Sequence, residues 1–133
     1  MDWKYVKALK SDSLIEEYEK MTGYKFPESF CECVRKNNGG RPSKKVFDTD
    51  RTKERVLKSF LSFNKEDRET VWKISEWNSV ELGDKYVAFA IDNFGNLICF
   101  EKASGKVVFI ELETLNVEVI ADEFGGFIGR LYE

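Results

Sequence analysis

The spacing of apolar residues changes period about two-thirds of the way along the chain, from one that suits helices to one that suits strands. Leu14, Ile15, Tyr18 and Met21 share an arc at about 100° per residue, with Glu16, Glu17 and Glu19 opposite, which predicts an amphipathic helix. Ser13 followed three residues later by Glu16 fits a capping box that would open this helix, and Gly23 stops it. A second helix is expected from Phe26-Pro27, because proline suits a first helical position. Phe30, Cys33, Val34 and Asn37 form its inner face, and Glu28, Glu32, Arg35 and Lys36 its wet one. Asn38-Gly39-Gly40 supply the left-handed positions that end it, and Pro42 prevents its resumption.

Between Ser43 and Asn64 the pattern is less regular. Val46-Phe47 reads as a short strand, and Val56 to Phe63 as a strand with both faces partly apolar. A third helix is expected from about Lys65 to Trp77 with Asn64 as its cap, with Val71, Ile74 and Trp77 pointing inward. Beyond it, Tyr86 to Ile91, Leu97 to Phe100, Val107 to Leu112 and Val117 to Ile120 are short β-branched and aromatic runs. The short turns between them join antiparallel neighbours into a meander. Asp122 is expected to cap a closing helix whose apolar face carries Phe124, Phe127, Ile128 and Leu131. Helices, an antiparallel sheet and a last helix make the fold class α+β, in a single domain over residues 1–133.

Composition narrows the function. Eleven Phe, three Trp and five Tyr among 133 residues supply a full core and exclude a disordered chain. No apolar run is long enough to cross a bilayer, and Asp2, Lys4, Lys7 and Lys10 interrupt any signal-like stretch, so a soluble, cytoplasmic protein is expected. The chain has no histidine, which removes His-based acid–base catalysis, His-activated nucleophiles and His-ligated zinc. Cys31, Cys33 and Cys99 read as reduced structural thiols. Cys31 and Cys33 sit about 200° apart on the expected helix and could not share a metal without unwinding it. The Asp92-Asn93-Phe94-Gly95-Asn96 stretch reads as a hairpin turn; it lacks the ligand spacing of a calcium loop. Neither a phosphate-binding Gly-Lys-Ser/Thr loop nor a dinucleotide fingerprint is present, and no cofactor is expected.

The order of these pieces resembles the SMI1/KNR4 (SUKH) superfamily. Gly23-Tyr24-Lys25-Phe26-Pro27, then Phe30 and Val34, then Asn37-Asn38-Gly39-Gly40, look like that family's hydrophobic-Pro helix start and Asn-Gly-Gly stop. Val87 to Asp92 with Gly95 to Phe100 look like its strand–turn–strand. Val107-Val108-Phe109 and Ile120 through Ile128 are similar to its final strand and closing helix. Gly125-Gly126 depart from the family's usual helix formers, and residues 41–80 match only loosely. The resemblance implies a non-enzymatic bacterial immunity protein that neutralises a secreted or contact-delivered toxin, commonly a nuclease, by binding it. A eukaryotic branch linked to cell-wall synthesis implies the alternative, a regulatory interaction scaffold.

The charge distribution indicates where such a partner would bind. Residues 1–65 carry 15 Lys/Arg against 10 Asp/Glu, and residues 66–133 carry 6 against 14. This predicts two electrostatic faces, the acidic one suited to a basic toxin cleft. On the expected third helix Glu66, Glu69 and Glu76 span an arc of about 80° bordered by Trp72, and Glu81 and Asp84 extend it. These six residues are the expected partner-binding set. The basic stretch from Arg35 to Lys58 supports a third reading, a nucleic-acid-binding module, although no recognition motif accompanies it. A monomer or weak homodimer without membrane contact completes the expectation.

Overall fold

The computed structural model describes residues 1–133. The chain runs β1 (Trp3–Lys4), α1 (Ser13–Thr22), α2 (Glu28–Asn37), β2 (Arg41–Pro42), β3 (Val46–Phe47), β4 (Arg55–Phe60) and α3 (Val71–Trp77). It continues through α4 (Ser79–Leu82), β5 (Tyr86–Asp92), β6 (Leu97–Glu101), β7 (Val107–Glu111), β8 (Asn116–Ala121) and α5 (Phe124–Arg130). Strands β3 to β8 form one six-stranded antiparallel sheet in sequence order, and β1 pairs with β2 apart from it. The fold is α+β with the expected meander.

The sheet curls on itself. Strands β4 and β7 are separated by β5 and β6, yet Arg55 of β4 bonds Glu111 of β7 at 2.6 Å. The Phe47 and Phe109 rings likewise lie 5.6 Å apart. Register shifts at Leu57/Ser59, Ala88/Ala90 and Val107/Val108 supply bulges that sharpen the bend. A single cluster of 32 buried apolar residues fills the structure. Phe30 sits near its centre, with the rings of Phe26, Phe89, Phe100 and Phe124 between 4.7 and 5.3 Å away.

Several local expectations are corrected. Helix α1 spans Ser13–Thr22 without a capping box: Ser13 is already helical, and its N–H donates to the Ser11 hydroxyl. Gly23 does end it, at φ 73°. Ile15 and Tyr18 are buried as expected, whereas Met21 is 55% exposed at the last turn. Pro27 lies one position before α2, in extended conformation. Cys31 is buried beside Phe30 and Val34, and Cys33 is only half-buried.

The third helix is much shorter than expected. It begins at Val71, capped by the Thr70 hydroxyl, which accepts from the Lys73 N–H. Asn64 caps nothing, because it is buried and tied to the N-terminal stretch: its amide donates to the Ala8 carbonyl and its oxygen accepts from the Lys10 N–H. Backbone bonds from Ser62 to Glu69 and from Val71 to Ser62 hold the intervening residues in a loop. The closing helix is capped by Glu123 instead of Asp122. Its carboxylate accepts from the N–H groups of Gly125 and Gly126. A Cβ at Gly126 would stand 2.9 Å from an oxygen of that carboxylate, so a side chain there would displace the cap.

Candidate functional site

The six residues expected to meet a partner do not form one helix face. Glu66 and Glu69 lie in the loop before α3, and each is matched to a lysine: Glu66 to Lys10, and Glu69 to Lys58 at 2.8 Å. Trp72 is half-buried. Its indole N–H donates to the Phe63 carbonyl at 2.9 Å, its ring packs edge-on to Tyr18, and the Lys65 ammonium lies 4.7 Å from its centre. Trp72 is therefore built into the packing, whereas Glu66 and Glu69 form ion pairs at the surface.

Glu76, Glu81 and Asp84 behave differently, since no ion pair engages any of them. They sit on or just beyond a helical ridge made of α3 and α4. Asn78 joins the two helices, with φ −116° and ψ 29°, and its N–H still bonds the Ile74 carbonyl. Val71, Ile74 and Leu82 point into the core. Glu76, Trp77 and Val80 are exposed along the ridge, and Glu81 is half-buried.

Trp77 is 66% exposed and Val80 90% exposed, which corrects the expectation that Trp77 points inward. Helical spacing alone placed Trp77, three residues after Ile74, beside the buried arc, and packing decided its exposure. Thr70, a good N-cap directly before Val71, was the legible signal for where the helix begins. Lys73 shares this side of the ridge, but its ammonium donates to the Asp67 carbonyl. Asp84 also borders a groove of about 180 Å³ between the end of α1 and the ridge, lined as well by Met21, Ser75, Tyr86 and Lys102.

The other candidate chemistry is used internally. Five of the eight ion pairs join a residue of 1–65 to one of 66–133, so folding interleaves the two charge blocks. Within the basic stretch, Arg35 meets Glu28, Arg51 meets Glu118 and Lys58 meets Glu69. Arg41 donates to the Lys58 carbonyl, and Arg55 lies over the Phe109 ring while reaching Glu111. Lys36, Lys44, Lys45 and Lys53 are left without ion pairs.

Asp92 closes the β5–β6 turn: its oxygens accept from the Phe94 and Asn96 N–H groups and the Asn96 amide. Burial pushes the Cys31 and Cys33 thiols up to about 11 and raises Cys99 as well, so none is a ready nucleophile at neutral pH. No helix is long and apolar enough to cross a membrane.

The α3–α4 ridge is one of several exposed apolar surfaces, with Phe94 in the β5–β6 turn and Leu115, Val117 and Val119 at β8 being others. It has two exposed apolar side chains and three carboxylates with no basic partner. Among known proteins, a family model described as SUKH_6, SMI1-KNR4 cell-wall, matches residues 12–128. None of the curated proteins matches the chain.

Proposed function

We propose that this chain, which belongs to the SMI1/KNR4 (SUKH) superfamily, is a cytoplasmic bacterial immunity protein and not an enzyme. It binds a secreted or contact-delivered toxin, of the nuclease class, and blocks the toxin's active or substrate cleft. The observation that carries this reading is the family match over residues 12–128, joined to a ridge whose carboxylates are left free. A binding inhibitor needs a stiff scaffold and a surface matched in charge to its target, and both are present. The Phe-rich core supplies the stiffness. Glu76, Glu81 and Asp84 supply negative charge that a nuclease's basic cleft would otherwise take from phosphates.

The test is protection. This reading expects a large secreted protein encoded beside the chain, whose C-terminal domain is expressed in cells with and without it. Survival and recovery of a one-to-one complex are the expected results. Unprotected cells and no complex would overturn the assignment.

The description of the family, which refers to the cell wall, favours a second reading: a regulatory scaffold for wall synthesis. Co-purification separates the two. An immunity protein yields one small toxin domain, whereas a scaffold yields several cellular enzymes.

A further inference from the structure

The two edges of the six-stranded sheet end differently. At β3 the chain closes its own edge, because Val46 exchanges two 2.9 Å backbone bonds with Tyr132. Strand β8 is the other end of the sheet and has no neighbour beyond β7. The adjoining hairpin fixes which way its backbone points. The Glu101 N–H donates to the Lys106 carbonyl at 2.9 Å, so those two residues form a hydrogen-bonded pair. The β6–β7 register runs on from them without a shift, which turns Val108 and Ile110 toward β6 and Phe109 and Glu111 toward β8. Their partners Glu118 and Asn116 therefore face β7, and Val117 and Val119 turn N–H and C=O outward. The side-chain bonds to this strand go elsewhere, to the Asn116 N–H and the Ile120 carbonyl. The Val117 and Val119 side chains are 41% and 49% exposed, and the strand has neither proline nor lysine to guard its edge.

We propose that two copies of this chain associate through β8, antiparallel about a two-fold axis at Glu118. In that register Val117 of each copy lies opposite Val119 of the other. Each such pair exchanges two bonds, so all the open groups are satisfied and none is left over. The valines meet as cross-strand pairs on one face of the joined sheets. On the other face the two Glu118 carboxylates come together at the axis, where like charges would oppose pairing. Arg51 offsets this. Its Nε lies 3.4 Å from Glu118, and no hydrogen bond engages its Nη groups, which are free to take the other copy's Glu118. Farther out, Glu113 and Asp122 have no ion pair and approach their counterparts, so net charge does not drive the association. The hydrogen-bond pattern selects the occupant: a second copy brings an edge of the same length, the same alternation and the same open groups. One strand pair is smaller than a standard interface of about 1,600 Å², so the dimer is weak and forms at high concentration. The inference goes beyond the immunity reading and does not depend on it.

Sedimentation of the full chain from about 10 μM to about 1 mM should show a reversible monomer–dimer equilibrium. Val117→Lys with Val119→Lys should weaken it at least about tenfold, because ammonium groups then meet across the axis. Val119→Pro, which removes a donor on the side away from β7, should do the same. Arg51→Ala should weaken the dimer about threefold or more, and adding Glu118→Gln should recover that loss, because no bare carboxylates remain at the axis. In the wild-type chain, amide exchange at Val117 and Val119 should slow as concentration rises, since neither N–H has an acceptor within one copy. A chain that stays monomeric throughout would overturn the proposal. So would a dimer that the lysine and proline variants leave within about threefold of wild type, or Val117 and Val119 amides indifferent to concentration. Both valines are partly exposed, and unchanged thermal midpoints of the dilute variants exclude misfolding as the cause.

Discussion

Tyr18 shows how one side chain can join three elements. It projects from α1, buries its ring among Phe26, Phe63 and Trp72, and places its hydroxyl 2.8 Å from Ser75 of α3 and 3.1 Å from the Ala88 carbonyl of β5. The Ala88 carbonyl lies where the β5–β6 register shifts, between Ala88 and Ala90. Burial raises its pKa far above the ordinary value, and the hydroxyl stays protonated at any working pH. Tyr18→Phe is expected to cost about 1–3 kcal/mol, because a buried carbonyl loses its donor while the ring packing survives. Urea unfolding of the two chains would measure it. An unchanged midpoint would mean that Ser75 or water takes over the role. Asn38 works in the same way: its amide bonds Lys7 and Ser62, and its oxygen takes the Phe63 N–H. From sequence it read only as part of a helix stop.

Among the elements, α5 carries the clearest trade-off. Of the three glycines in this seven-residue helix, Gly125 and Gly126 stand in its first turn and oppose its formation by about 1 kcal/mol each relative to alanine. They are kept where the Glu123 carboxylate folds back onto their N–H groups. In the wild-type background Gly126→Ala should be nearly neutral, because the gain in helix propensity is offset by displacement of the cap. In a Glu123→Ala background the same change should stabilise by about 1 kcal/mol. A four-member double-mutant cycle followed by thermal unfolding tests this, and simple additivity would refute it. Gly40 is a different case. A Cβ there would meet the Asn37 carbonyl at 2.9 Å and the Trp3 ring at 3.2 Å, a close approach of backbone that leaves no room for a side chain.

For the molecule as a whole, the loop between β3 and β4 is tied down by charge at both ends. Asp48 accepts from the Glu54 N–H and the Tyr132 hydroxyl, and Glu111 accepts from the Thr114 hydroxyl and Arg55. Those bonds hold both carboxyls below their usual range, the Glu54 N–H acting most on Asp48 and the Thr114 hydroxyl most on Glu111. A depressed folded pKa contributes stability that is complete above the unfolded value, near 4, and is lost as the pH falls through the folded one. Stability should therefore decline on acidification below about pH 5, and the decline should be shallower in Asp48→Asn and Glu111→Gln chains. Denaturant midpoints taken from pH 7 down to pH 3 test this, and parallel curves for all three chains would contradict it.

At this largest scale the division between sequence and tertiary structure is clearest. The meander, the Gly23 and Asn38-Gly39-Gly40 stops and the buried faces of α1 and α2 were legible because period and turn chemistry act over a few neighbouring residues. Family membership was legible for the same reason, since it rests on the order of those local pieces. The segment from Asn64 to Thr70 was not legible, because its helix-like pattern loses to bonds reaching back to Ala8, Lys10 and Ser62. That displacement moved the start of α3 to Val71 and left Glu66 and Glu69 in a loop, whereas the exposure of Trp77 was decided by packing. Which carboxylates remain free was likewise decided only by the fold. Sequence sets the number of charges, but the curl of the sheet and the docking of the N-terminal stretch determine which lysine or arginine lies within reach of each.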